Sequence, residues 1–145
     1  MSDLQSLYQE LILDHSKHPH GYGLVEHPAG QSHQINPTCG DEVTLQLSLD
    51  SDRITAITWE GHGCAISQAS ASLLAQLAPG LSTADLTVRI DSFRDVLRSR
   101  GTIEADEELL GDAAVLSGVS RYTARVKCAM LAWVAAEDAL VQASV

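Results

Sequence analysis

The residues best suited to chemistry are three cysteines, one in each of three separated motifs. Cys39 stands in Asn36-Pro37-Thr38-Cys39-Gly40-Asp41, Cys64 in Gly61-His62-Gly63-Cys64-Ala65-Ile66-Ser67, and Cys128 in Arg125-Val126-Lys127-Cys128-Ala129-Met130-Leu131. None belongs to a Cys-x2-Cys knuckle, so spacing alone does not declare a zinc site. A buried structural cysteine accounts for each one taken singly. Their settings point elsewhere. Glycines flank Cys39 and Cys64 and let the backbone bend around a site. Cys64 opens a predicted helix, where unpaired N–H groups favour a thiolate. Arg125 and Lys127 adjoin Cys128 and act in the same direction if their side chains turn toward it. Asp41 follows Cys39 by two residues, which places both on one side of an extended loop. Three thiolates and one carboxylate make four ligands, the number a tetrahedral Zn²⁺ site needs.

The remaining polar candidates are weaker. His15, His18, His20 and His27 fall in a stretch rich in Gly and Pro and read as solvated loop histidines, since none forms a helical His-x3-His pair. His62 precedes Cys64 by two residues; it is either a spare ligand or proton acceptor, or a bystander. Ser67, Ser70 and Ser72 read as helix-surface or tight-packing residues. No nucleophile–base pair for hydrolysis stands out.

The elements that must position these residues can be read from periodicity. Leu4, Leu7, Tyr8, Leu11 and Ile12 mark a helix over Asp3 to Asp14, followed by a loop to Gly30. Val43, Leu45, Leu47 and Leu49 alternate with polar residues, which predicts a strand with one buried and one wet face. Asp50-Ser51-Asp52 turns the chain into a returning strand over Arg53 to Glu60. A short strand near Ser32 to Ile35 is expected beside them. Helices are predicted from Cys64 to about Ala78, from Ser82 or Thr83 to Ser99, and from Arg121 to about Ala143. Ile103 to Gly118 reads as one short helix and a loop. Segregated strands and helices indicate an α+β domain, and 145 residues without a linker suit a single one spanning 1–145.

The net charge of −10 disfavours nucleic acid and anionic membranes as partners. It suits solubility or a basic protein partner. No signal-peptide pattern and no apolar run of about 20 residues is present, so no membrane role is expected. Three cysteines cannot all pair, which fits a cytoplasmic, reducing setting.

Taken in order, the motifs resemble those of the SufU family of iron–sulfur cluster assembly proteins, the group that includes IscU and the NifU N-terminal domain. Leu7-Tyr8, Ile12, Asp14-His15, Lys17 and Pro19 resemble its N-terminal signature, and the three cysteine motifs resemble its three ligand loops. Two features resemble the SufU branch rather than IscU. Lys127 stands where IscU proteins carry a histidine, and Arg100 to Tyr122 looks like the SufU insertion. The Leu-Pro-Pro-Val-Lys chaperone segment of IscU is absent.

The resemblance implies a small three-stranded antiparallel sheet packed against helices, with a long C-terminal helix. It implies Zn²⁺ held by Cys39, Asp41, Cys64 and Cys128. It further implies a zinc-dependent sulfurtransferase that takes persulfide sulfur from the cysteine desulfurase SufS and serves a downstream Suf scaffold. Cys39 would accept the sulfur and Arg125 would support it. A metal-tied thiolate must be released to react, and a glycine-flanked loop suits that better than a helix does. The alternatives are a scaffold that assembles iron or a [2Fe–2S] cluster on the same ligands, and a structural zinc module with an unreactive Cys39.

Overall fold

The computed structural model describes residues 2–38 and 40–143, with side chains from Gln9 onward. Helix α1 (Ser2–Lys17) leads into a loop and then three strands, β1 (Gly30–Asn36), β2 (Asp41–Asp50) and β3 (Arg53–His62). Helices α2 (Ala65–Leu77), α3 (Thr83–Arg98), α4 (Glu107–Leu110) and α5 (Thr123–Ala143) follow, with a run of 3₁₀ turns over Gly111–Arg121 between the last two. The strands form one antiparallel sheet in the order β1-β2-β3. This is the expected α+β arrangement with its long C-terminal helix. Among the described residues no helix is long and apolar enough to cross a membrane.

The sheet follows its hydrophobic pattern, with one adjustment. Val43, Leu45 and Leu47 of β2 are buried, as alternation requires. On β3 the buried residues Ile54, Ile57 and Trp59 are not evenly spaced. Leu49 pairs with Ile54 and Ser48 with Ala56, so Thr55 is left over. That bulge corrects the phase and lets both isoleucines face the core. The other sheet face is drier than alternation predicts. Gln46 is only 3% exposed. Its amide donates to Val25 O and Gln31 Oε1, and its oxygen accepts from Val25 N–H and Thr58 Oγ1. A buried amide so satisfied carries little desolvation penalty.

Helix α5 packs across β1 and β2 and beside α2. It does so through a run of small residues, Ala129, Ala132, Ala135, Ala136 and Ala139, all buried. At Gly30 a Cβ would overlap the Ala139 carbonyl, so glycine sets the approach of β1 to α5. Trp133 anchors the helix. Its ring stacks on Phe93 at 4.0 Å between centroids. Its indole N–H donates to Ser70 Oγ at 2.8 Å, and the Ser70 hydroxyl in turn donates a hydrogen bond to Ala129 O. Ser67, Ser70 and Ser72 are thus buried packing residues of α2 rather than surface ones.

Two expectations need correction. The segment Ile103 to Gly118 contains no plain loop after its short helix; the 3₁₀ turns bury Ala113, Leu116 and, just beyond, Val119 against the core. Helix α1 also runs a turn further than predicted and carries His15 into the interior, at 3% exposure. His15 is therefore not a solvated loop residue, although His18, His20 and His27 are exposed. Of the predicted α1 face, Leu4, Leu7 and Tyr8 lie outside the described side chains, while Leu11 and Ile12 are half-buried.

His15 ties α1 to α2. Its Nδ1 lies 2.7 Å from Ser72 Oγ, which also accepts the His20 backbone N–H at 2.8 Å. Ser72 can then donate to a neutral imidazole. Burial lowers the His15 pKa, the nearby His20 lowers it further, and Asp14 and Asp112 oppose the shift. The folded protein therefore resists protonation more than the unfolded chain does. Stability should be full above the ordinary value of 6.5 and fall as pH drops from there through the lowered folded value. Chemical denaturation of the wild type and His15→Gln across this window tests the effect. A stability difference that does not change with pH would remove His15 as its source.

Candidate metal centre

Three elements converge at one end of the sheet. Asp41 is the first residue of β2 and pairs with Asn36 across the β1–β2 turn. That turn is held by the Gly40 N–H donating to Asn36 O at 2.8 Å and the Thr38 N–H donating to Asn36 Oδ1 at 3.2 Å. Cys39 belongs to it by sequence but lies outside the described residues. Cys64 follows the end of β3 and occupies the N-cap position of α2, with extended backbone angles. Its sulfur does not cap the helix, which leaves it available to the site. Cys128 sits in the second turn of α5 and is 1% exposed.

Asp41 organises this corner. One carboxylate oxygen, Oδ1, accepts the Cys64 backbone N–H at 2.9 Å. The other, Oδ2, lies 3.8 Å from Cys64 Sγ. Ligand atoms of Asp41, Cys64 and Cys128 all fall within 4.8 Å of one another. In a tetrahedral zinc site, a sulfur and an oxygen ligand stand about 3.6 Å apart, from bond lengths of about 2.3 and 2.1 Å. The donors present therefore match a zinc site in type and in spacing. They could supply three of the four ligands that a tetrahedral site takes, and two of them are buried.

The geometry depends on Gly63. It adopts φ 156°, and a Cβ there would overlap Asp41 Oδ1 and crowd Ser67 Oγ. Only glycine lets the chain leave β3 and reach Cys64 without displacing the carboxylate.

The other sequence candidates lie further out. His62 is exposed and pairs with Glu42 at 3.2 Å, while His33 meets the other oxygen of Glu42 at 2.5 Å. Neither histidine joins the metal group among the described residues. Arg125 is exposed one turn before Cys128 and, among the described residues, takes part in no ion pair. Lys127 is also exposed and lines a neighbouring groove. The anchoring role of the Asp41 carboxylate toward Cys64 had no signal in the sequence. Only the glycine before Cys64 hinted at a close approach.

The sequence profile described as the NifU-like N terminal domain matches residues 7–141. The iron–sulfur cluster assembly scaffold protein IscU of Streptococcus pyogenes serotype M1 is 36% identical over 141 residues, covering 97% of this chain and 86% of that one. The zinc-dependent sulfurtransferase SufU of Bacillus subtilis strain 168 is also 36% identical, over 142 residues, covering 97% and 94%. Among solved structures, a putative iron–sulfur cluster assembly scaffold for the SUF system from Fervidobacterium islandicum AW-1 superimposes with a TM-score of 0.79 at 34% identity, covering 94% and 98%. The N-terminal part of a nitrogen-fixing NifU-like protein from Brucella abortus gives 0.86 at 25% identity, covering 97% and 96%.

Gly63→Ala should weaken metal retention by about 10–100-fold, because it displaces the residue that orients Cys64, while the fold survives. Competition with a chromophoric zinc chelator, alongside circular dichroism, measures both. Unchanged retention in a folded variant would separate Gly63 from the metal centre.

Proposed function

The chain belongs to the NifU-like N-terminal domain family of iron–sulfur cluster assembly proteins, and on that premise we propose that it is a zinc-dependent carrier of persulfide sulfur. Its donor would be a cysteine desulfurase of the SufS type, its recipient a downstream Suf scaffold, and its setting the cytoplasm. The observation that supports this reading is the cluster of Asp41, Cys64 and Cys128 beside the turn that carries Cys39. A relative matched over almost the full chain is named a zinc-dependent sulfurtransferase.

Cys39, Asp41, Cys64 and Cys128 would hold the metal. Bound zinc keeps thiols deprotonated and, having no redox chemistry, does not oxidise them. The chain's own residues do the rest. The Cys39 thiolate attacks the outer sulfur of the partner's Cys–S–SH. A bond forms between the Cys39 sulfur and that outer sulfur, and the partner's S–S bond breaks. The partner leaves as a thiolate, and Cys39 now carries the S–SH group with its proton. No net oxidation occurs. Asp41 and Cys64 stay fixed through the Cys64 N–H hydrogen bond. Arg125, exposed one turn from Cys128, is the supporting cation that offsets anionic charge during the exchange.

A second reading has its own support, since the Streptococcus relative is named a scaffold at the same identity. There the same donors would assemble a [2Fe–2S] cluster. One experiment separates the two readings. The purified chain is analysed for metal and then mixed with desulfurase and cysteine, and the thiol-bearing peptides are weighed. The carrier reading expects zinc, faster desulfurase turnover, and a gain of sulfur on Cys39 that is lost to background in Cys39→Ala. A zinc protein in which Cys39→Ala accepts sulfur at the wild-type rate would defeat the assignment.

A further inference from the structure

A pocket of about 560 Å³ lies beside the metal corner, between the β1–β2 turn, the end of α3 and the first turns of α5. Met130, Leu131 and Val134 contribute apolar lining, and Pro37 and Thr38, which directly precede Cys39, form its near lip. Ile35, 54% exposed on the edge strand β1, adds a further apolar side chain to its lining.

The charge around it is unlike the rest of the chain. The protein has 19 acidic and only nine basic residues, Lys and Arg together. Among the described residues, three of these basic residues, Arg98, Arg100 and Lys127, line this one pocket, and no Asp or Glu does. All three are exposed, and among the described residues none is engaged in an ion pair. A strongly anionic molecule thus presents an unneutralised cationic groove beside its candidate metal centre.

We infer that this groove is the docking site for an acidic segment of the sulfur-donating protein, one apolar side chain of which enters between Met130 and Val134. The inference rests on the carrier reading above for the identity of that partner. Charge complementarity selects an acidic segment, because among the described residues the groove offers three exposed cations and no carboxylate. Continuity with the site selects the donor. Pro37 and Thr38, which line the groove, directly precede Cys39 in the chain, and Lys127 adjoins Cys128. The net charge of −10 disfavours an acidic segment over the surface as a whole, so the groove biases the direction of approach.

The test measures the affinity of a SufS-type desulfurase for the zinc-loaded chain by biolayer interferometry, between about 50 and 300 mM salt. The variant is Arg98→Glu with Arg100→Glu. The control, Lys17→Glu with Arg53→Glu, makes the same charge change elsewhere. The groove variant should bind about tenfold more weakly, mostly through slower association, and lose most of the salt dependence. Its zinc content and its sulfur gain at saturating desulfurase should equal those of the wild type. Affinity unchanged from wild type, or reduced only as far as in the control, overturns the proposal. So does the absence of any wild-type complex at the lowest salt. If phosphatidylglycerol vesicles bind through Arg98 and Arg100 while desulfurase affinity stays constant, the groove belongs to a lipid surface and the proposal falls. A complex that forms and depends on the groove, yet leaves Cys39 without sulfur, upholds the docking site and removes the carrier function instead.

Discussion

Asp41 carries the constraint on which the candidate centre depends. A carboxylate 1% exposed at the start of a central strand is costly unless its charge is answered. The Cys64 backbone N–H answers part of it at 2.9 Å. A cation held between Asp41, Cys64 and Cys128 would answer far more, because electrostatic attraction strengthens where water is excluded. The same hydrogen bond also joins the first residue of β2 to the N-cap of α2, so it fixes the corner at which strand and helix meet. One contact thus eases the buried charge and sets the geometry of the corner.

The rest of the fold brings the third donor to that corner. Cys128 rides on α5, and α5 reaches the sheet because its inner face is largely alanine and because Gly30 presents no side chain. Larger residues there would lift the helix and carry Cys128 away from Asp41. Trp133 supplies the opposing requirement, a large ring that fixes the depth and rotation of the helix through Phe93 and Ser70. Small residues let α5 approach, and one tryptophan settles where it stops. Packing of this kind holds ligands within tenths of an ångström, as metal coordination demands.

How much of this could be read in the sequence depends on the range of the interaction. The period-two run Val43 to Leu49 and the helical spacing within α2 and α5 are local signals, and the elements they predict are present. The three cysteine motifs were legible through resemblance, although no spacing rule joins them. Contacts made across the fold left little trace. His15 sits in a stretch rich in Gly, Pro and His, and its burial depends on Ser72, far along the chain. Gln46 falls on the polar side of an alternating strand and is buried only because the segment around Val25 lies over it. The 3₁₀ turns over Gly111–Arg121 have no period that a helix or strand template recognises. The cationic groove is gathered from residues of β1, α3 and α5, so no single window of sequence shows it.

The two oxygens of Asp41 have different tasks, and this bears on why an aspartate suits the centre. Oδ1 is committed to the Cys64 N–H, and Oδ2 faces the Cys64 sulfur. A thiolate would have to ligate and accept the amide with one sulfur, whereas the carboxylate divides the two contacts between two oxygens. Cys64 is held by its N-cap position and Cys128 by its burial in α5, so three donors are fixed by backbone and packing. Cys39 lies in sequence between β1 and β2, outside the described residues. An oxygen donor is also a poorer partner than sulfur for zinc in a thiolate-rich set. Asp41, Cys64 and Cys128 are thus positioned by three different elements, a strand, a helix cap and a packed helix, and their common corner is set by the fold as a whole.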